Sequence, residues 1–396
     1  MSDTHTAVVG AASTPTVTAS LQLSLISEPG DIQMREALVR HGADDVVAAC
    51  IDGVPLDADF PKPAWIQRAA ELERLSETAL AAAERSGMRW VEPGHAQWPD
   101  QLDALDNGEP VNGVGGAPLG LWVRGPLRLD DAVDRSVAIV GARAATTYGN
   151  QVAGDIAAEV AVEGCTVISG GAFGIDVAAH RGALAVRKPT VAVLACGADV
   201  VYPRAHANVL ARIADTGLLV SEQPPGQSPM RGRFLTRNRL IAALARGTIV
   251  VEAARRSGAL NTLNWAQRCG RVGMGVPGPV TSRASVGVHH AIRAGGVILV
   301  TRSQEVLEAI ATVGTVDATL PWVPPTGTDR LSVSALRIFE QVPASASLSS
   351  AEIAERVPCR VDEVRLALSA LADAGFVVED ADSWRAIRPE RRADLS

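Results

Sequence analysis

Ser136-Val137-Ala138-Ile139-Val140-Gly141-Ala142-Arg143 and Thr166-Val167-Ile168-Ser169-Gly170-Gly171-Ala172-Phe173-Gly174-Ile175-Asp176 share one grammar: an apolar run, a glycine-bearing turn, then a helical pattern. The rhythm repeats at Val191–Ala195, Leu218–Val220, Thr248–Val251, Val272–Val276 and Val297–Val300, with helical stretches between. Continuous Val/Ile-rich runs have no polar face to show to water, so they predict strands of a parallel sheet covered on both sides by helices. The fold class expected for residues 136–311 is therefore α/β, doubly wound and mainly parallel. In such a fold ligands bind outside the carboxyl ends of the strands. Each turn that follows a run becomes a candidate site.

Outward from that block the pattern changes. Residues 1–20 are rich in Thr, Ser, Ala and Gly and predict a disordered tail. Residues 21–86 predict a small helical domain, with helices at Ile32–His41, Asp44–Asp52 and Ala64–Ser86. Residues 87–135 read as a connecting segment packed on the core, with one strand at Leu119–Val123 and a mobile Gly-rich loop at Asn112–Gly116. A Pro/Gly/Thr-rich linker is expected over 312–329. Residues 330–390 then give a helix at Val333–Gln341, a second opened by the capping pattern Ser349-x-x-Glu352, and a third at Val361–Ala374 that stops at Gly375. Two β segments follow, Phe376–Glu379 and Trp384–Ile387, and this order predicts a C-terminal winged helix.

The net charge of -7 over 396 residues hides a strong asymmetry. Residues 136–300 hold 17 basic against 8 acidic side chains, and every flanking segment is acidic. One basic domain among acidic ones is the footprint of a polyanion site. The five cysteines (Cys50, Cys165, Cys196, Cys269 and Cys359) are scattered without a C-x-x-C pair, which argues against a disulfide framework and a zinc site. They read as buried thiols in a reducing cytosol. No apolar run reaches the roughly 20 residues that span a bilayer, and residues 1–20 lack a signal peptide's pattern. A cytoplasmic protein without a membrane segment, metal or cofactor is expected.

Four strand ends carry unusual residues. Gly141 and Arg143 follow the first run, where glycine admits a close ligand and the next helix offers N–H groups to an anion. A plain turn with a solvated arginine is the bland alternative. Ser169, Gly170, Gly171 and Gly174 follow the second run; they match neither a P-loop nor a dinucleotide fingerprint, yet could form an anion nest. Arg204 stands beyond the third, in Tyr202-Pro203-Arg204. Arg237, Asn238 and Arg239, with Arg231 and Arg233 just before them, crowd positive charge toward a helix start, where it opposes the macrodipole unless an anion is near. Asp176 and His180, four apart, fit a structural hydrogen bond better than a catalytic pair, because no nucleophile accompanies them. Glu222 and Glu252 also close strands and are expected to salt-bridge crowded arginines.

Taken together these segments resemble the DNA-processing protein A family (DprA, also called Smf). The resemblance rests on Ala138–Arg143, Ser169–Asp176 with Ala179-His180, Tyr202-Pro203, Ser221-Glu222, Arg237-Asn238-Arg239 and Val251-Glu252-Ala253. Ser257-Gly258-Ala259 with Thr262, Pro277-Gly278 and Gly295 complete the order. It implies an extended Rossmann domain flanked by a small helical (SAM-like) N-terminal domain and a winged helix. It also implies binding rather than catalysis: a recombination mediator that holds single-stranded DNA, recruits and helps load RecA, acts in natural transformation or DNA processing, and dimerises through the Rossmann domain. The DNA face maps onto Gly141, Arg143, Ser169, Gly170, Gly171, Gly174, Arg204, Arg237, Asn238 and Arg239. Departures from the family pattern are His206, Leu235-Thr236, Arg204 for a common Lys, and Gly-Ala-Arg in the first loop.

Two rival readings remain. A Rossmann-like nucleotide hydrolase or phosphoribohydrolase would use Glu222 or Glu252, but lacks the Pro-Gly-Gly-x-Gly-Thr turn. A duplex-binding regulator would use the third C-terminal helix, which sets Arg360 and Arg365 against Asp362, Glu363 and Asp373 and is poorly basic for a recognition helix.

Overall fold

The structure, a computed structural model, describes residues 17–111, 113–311, 331–380 and 383–387. The expected tail up to residue 16, the linker and Asn112 of the Gly-rich loop lie outside the described residues. The chain divides into two compact units, Met1–Val316 and Asp317–Ser396.

The first unit is built on nine strands: β1 (Met88–Val91), β2 (Leu121–Arg124), β3 (Ser136–Val140), β4 (Thr166–Ser169), β5 (Thr190–Val193), β6 (Leu218–Ser221), β7 (Gly247–Val250), β8 (Val272–Gly275) and β9 (Ile298–Leu299). They lie in the order β1-β2-β6-β5-β4-β3-β7-β8-β9. The seven strands from β6 to β9 run parallel, while β2 pairs antiparallel with both β6 and β1. All seven apolar runs of the 136–311 block are strands. The sheet is Rossmann-like, and its order reverses direction between β3 and β7, which makes that pair the topological switch point.

Packing explains why the runs are continuously apolar. Along β3, Val137 and Ile139 face one core with the helices Thr147–Val162 and Ile175–Ala185. Ala138 and Val140 face the other core with the helices Arg231–Leu244 and Gly258–Arg268. Alternate side chains thus enter opposite cores, and both are buried.

Two sequence expectations need correction. The expected single helix over Ala64–Ser86 is two, Pro63–Ala69 and Leu72–Arg85. Trp65, Ala69 and Leu72 fill a core with the helices Ala19–Ile26, Ile32–His41 and Ala43–Asp52, while Ala79 and Ala83 pack with Trp90, Trp122 and Leu194. One straight helix would have to serve both cores; the break near Glu71 (φ -112°, ψ 14°) redirects the chain, so that the second helix starts with Leu72 in the first core and continues with Ala79 and Ala83 in the second. Strand β1 was also hidden in the connecting segment. It pairs with β2 so that Trp90 lies opposite Trp122, their rings 5.0 Å apart.

The second unit holds the helices Val333–Phe339, Ser350–Ala354 and Val361–Asp373, with β10 (Leu348–Ser349), β11 (Val377–Asp380) and β12 (Ser383–Ala386) in the antiparallel order β10-β12-β11. The capping box at Ser349 and Glu352 is present. Val364, Leu368 and Leu371 form the buried face of the third helix.

Candidate nucleic-acid interface

The segments that follow β3, β5, β6 and β7 carry Arg143, Arg204, Arg231, Arg255 and Arg256, with Arg231 the first residue of the helix Arg231–Leu244. All five are exposed, and none of them forms an ion pair among the described residues. Some arginines elsewhere in this unit are paired, as in Arg35–Asp106, Arg40–Asp57 and Arg246–Asp134, and others, such as Arg135, Arg181 and Arg293, are exposed without an ion pair among the described residues. The five strand-end arginines are set apart by their convergence on one edge of the sheet. Arg143 lies over the Phe234 ring, its guanidinium carbon 4.9 Å from the centroid, a cation–π contact.

Two hollows open here. One, of about 380 Å³, sits at the switch point and is lined by Gly141, Arg143, Asp176, Phe234, Asn238 and Arg256 among others. The second is shallower and lies over the loops after β4 and β5, where Arg143, Gly171, Phe173, Tyr202 and Phe234 meet. Phe173 packs edge-on against His206 at 4.6 Å, and the rings of Tyr202 and Phe234 are 5.7 Å apart. Phe173 and Tyr202 remain exposed and could each stack a base.

The other arginines of the sequence reading point inward. Arg237 is buried beneath the glycine loop, and its Nη1 donates to the Gly170 carbonyl at 2.7 Å and also to the Val193 carbonyl. Arg239 is fully buried in a two-pronged ion pair with Glu222. Asn238 Nδ2 donates to the Gly258 carbonyl at 3.2 Å and to Asn261 Oδ1 at 3.4 Å. Ser169 is buried and donates to the Ile139 carbonyl at 2.6 Å, tying β4 to β3. All four side chains are thus braced within the fold, and of them Arg237 and Asn238 also line the hollow at the switch point. The charge at the helix start is met internally instead: Glu222 answers Arg239 and Glu28 answers Arg233, while Arg231 stays in solvent.

The anion seats at the first two strand ends hold carboxylates of the chain itself. Glu252, buried at the end of β7, accepts from the Thr146 N–H at 2.9 Å and the Thr146 hydroxyl at 2.6 Å. Thr146 is the N-cap of the helix Thr147–Val162, so the carboxylate sits where the helix dipole favours it. Glu252 thus bonds a threonine and no arginine, contrary to expectation. Asp176 accepts from the Ala172 N–H at 3.4 Å, with the Gly170 N–H also directed at it, and so occupies the expected nest. Burial pushes its carboxyl up, opposed by Arg237 and these backbone donors.

His180 does not pair with Asp176. Its Nδ1 lies 2.8 Å from the Thr190 hydroxyl, which itself donates to the Val167 carbonyl at 2.6 Å. That hydroxyl has a single proton, so Nδ1–H is the donor and the neutral ring's Nε2 is left buried without a partner. Burial, helped by Arg237 and His206, holds the imidazole down at about 3.

At Gly141 and Gly174 the close approach is made by the chain itself, by the Ile175 side chain at the first and by the Ala142 and Arg143 backbone at the second. An added Cβ at Gly174 would collide with the Ala142 carbonyl oxygen, and its φ of +76° already favours glycine. Arg231, Arg255 and Arg256 are the exposed cations outside the expected set. The last two come one residue after Val251-Glu252-Ala253, a strand end by pattern, so they carried the same signal as Arg143.

The sequence profile of the family described as DNA recombination-mediator protein A matches residues 89–311. A putative DNA processing protein DprA of Mycobacterium tuberculosis is 40% identical over 376 residues, covering 94% of this chain and 95% of that one. The protein Smf of Escherichia coli is 40% identical over 192 residues, 48% of this chain and 50% of its own length. The X-ray structure of DNA processing protein A from Streptococcus pneumoniae superimposes with a TM-score of 0.61 at 28% identity, covering 75% of this chain and 99% of that one.

Proposed function

The chain belongs to the DNA recombination-mediator protein A family, and on that premise we propose that its strand-end face binds single-stranded DNA and helps load RecA onto it. The observation that carries the DNA reading is the row of exposed, unpaired arginines after β3, β5, β6 and β7, set around two hollows. Guanidiniums of this kind grip phosphates without reading bases, and Phe173 and Tyr202 add sequence-tolerant stacking. Binding without strong sequence preference follows. The family resemblance supports RecA as partner, dimerisation through the Rossmann-like unit and a place in DNA processing or natural transformation. Its C-terminal unit is read as a winged helix that contacts protein rather than duplex DNA, because Arg360, the N-cap of its third helix, pairs with Asp362 and donates its backbone N–H to Glu363.

The hydrolase alternative would need a carboxylate free to reach a substrate. Glu222 is held by Arg239 and Glu252 by Thr146, both out of solvent. Among the described residues no helix is long and apolar enough to cross a membrane, and no cluster of three His, Cys, Asp or Glu is placed to hold a metal. RecA-dependent strand exchange on DNA coated by single-strand binding protein tests the proposal. Addition of this chain should raise the rate at low RecA, and an unchanged rate would overturn the loading role.

A further inference from the structure

Among the exposed strand-end arginines, Arg231 opens a helix that is poorly built to start there. The helix Arg231–Leu244 has no side-chain cap and no acidic residue in its first turn. It begins Arg231-Gly232-Arg233. Two cations at that end oppose the helix dipole and glycine is a poor helix former, so the turn draws little stability from itself. Arg233 holds it from outside. Its Nε donates to Glu28 Oε2 at 3.1 Å and its Nη2 to Glu28 Oε1 at 2.9 Å. Its Nη1 donates to the Ser228 carbonyl at 3.0 Å and to Gln227 Oε1 at 3.3 Å. One guanidinium thus ties the first turn to the segment that leads into it and to Glu28, which lies between the helices Ala19–Ile26 and Ile32–His41.

That joint is pressed at a second point. A Cβ at Gly30 would stand 3.2 Å from Thr236 Cγ2 and 3.4 Å from Arg239 Nε, so the segment after Glu28 lies directly against the helix Arg231–Leu244. The segment is in turn anchored to the N-terminal helices. Lys62 Nζ donates to Asp31 Oδ2 at 2.5 Å, and Arg68 Nη1 donates to the Ile26 carbonyl at 3.1 Å.

We propose that the N-terminal helices position Arg231 for the bound strand through the Glu28–Arg233 ion pair, so that Glu28, although acidic, strengthens DNA binding. This rests on the single-stranded DNA reading and extends it to a part of the chain outside the strand-end face. Arg233 and Glu28 are positioning residues, whereas Arg231 makes the contact. The sign separates this role from plain charge. A carboxylate near a polyanion repels it, so removal of a Glu28 that acted by charge alone would tighten binding. Loss of the clamp frees the first turn, which must then be ordered on binding, and affinity falls.

The test compares the full chain with Glu28→Gln, Arg231→Ala and the double variant, using fluorescence anisotropy on oligothymidylate at several salt concentrations. Thermal unfolding sets a temperature at which all four proteins are folded. Glu28→Gln should weaken binding about threefold, the scale of a partly exposed ion pair. Its salt slope should fall toward that of Arg231→Ala, itself about 0.7 below the unmodified chain. In the Arg231→Ala background, Glu28→Gln should no longer weaken binding. Tighter or unchanged binding by Glu28→Gln would overturn the clamp, as would equal weakening in both backgrounds. Arg231→Ala binding like the unmodified chain would leave the clamp no contact to position and would overturn it too. In each of these cases the other strand-end arginines still bind DNA; only failure of the unmodified chain to bind oligothymidylate removes the underlying reading.

Discussion

Arg239 and Glu222 meet in the interior as a fork on a carboxylate, Nη1 2.8 Å from Oε2 and Nη2 2.6 Å from Oε1. The guanidinium is fully buried and the carboxylate is 7% exposed. The pair joins the helix Arg231–Leu244 to the end of β6. Removing one partner strands an uncompensated charge, which costs about 3–5 kcal/mol, whereas replacing both by apolar groups is often neutral. Glu222→Ala and Arg239→Ala should therefore each lower the stability of this unit by that amount in urea unfolding. Glu222→Leu with Arg239→Met should recover most of it. A loss under about 1 kcal/mol for both single variants would mean the pair is effectively solvated.

The same pair shows where the sequence was legible and where it was not. Continuous apolar runs such as Ser136–Val140 and the turns that follow them expose the sheet, its burial on both faces and the edge on which ligands collect. The direction of a side chain on the helix Arg231–Leu244 is a different matter. Arg237, Asn238 and Arg239 occupy successive positions spread around that helix, and nothing local says that the whole circumference is buried. Their partners, Gly170, Val193, Gly258 and Glu222, come from four other segments. Charge clustering alone cannot separate an internal brace from an anion contact. Arg255 and Arg256 fail the other way: they are two exposed residues after a strand end, as readable as Arg143, but at that strand end the reading singled out Glu252 instead.

Arg143 and Arg237 should thus part company in solution. Arg143→Ala removes a surface charge, so affinity for oligothymidylate should fall tenfold or more, about 1.5 kcal/mol, and the salt slope should drop by about 0.7. Thermal stability should hardly change. Arg237→Met keeps the bulk but frees the Gly170 and Val193 carbonyls, and its first effect should be on stability, by about 1–3 kcal/mol per buried acceptor left unpaired. Its salt slope should stay near that of the unmodified chain. A slope reduced as much as by Arg143→Ala would place Arg237 on the DNA.

Gly174 separates shape from charge. The residue precedes the helix Ile175–Ala185 with φ of +76°, and a Cβ there meets the Ala142 and Arg143 backbone. Gly174→Ala should cost more than about 1 kcal/mol, since positive φ and collision add. The displaced backbone carries Arg143, so DNA affinity should fall although no charge is lost. Anisotropy and urea unfolding on the same preparation check it; normal affinity with normal stability would show that the two loops can yield independently.

His180 sets a pH dependence with a defined sign. Its ordinary value of 6.5 is held down at about 3 in the fold, chiefly by burial. Between those values the unfolded chain binds a proton that the folded chain refuses, so stability is complete above 6.5 and is lost as pH falls toward 3. The slope from this one group is about 1.4 kcal/mol per pH unit, or about 2 kcal/mol between pH 6.5 and 5. His180→Gln keeps a donor toward Thr190 and cannot titrate. The urea midpoint of the unmodified chain should therefore move down between pH 7 and 5 by more than that of the variant, and the excess should correspond to those 2 kcal/mol, one proton taken up on unfolding over about 1.5 pH units. Identical pH dependence in the two proteins would mean that the imidazole is protonated in the fold and that its orphaned Nε2 has found an acceptor.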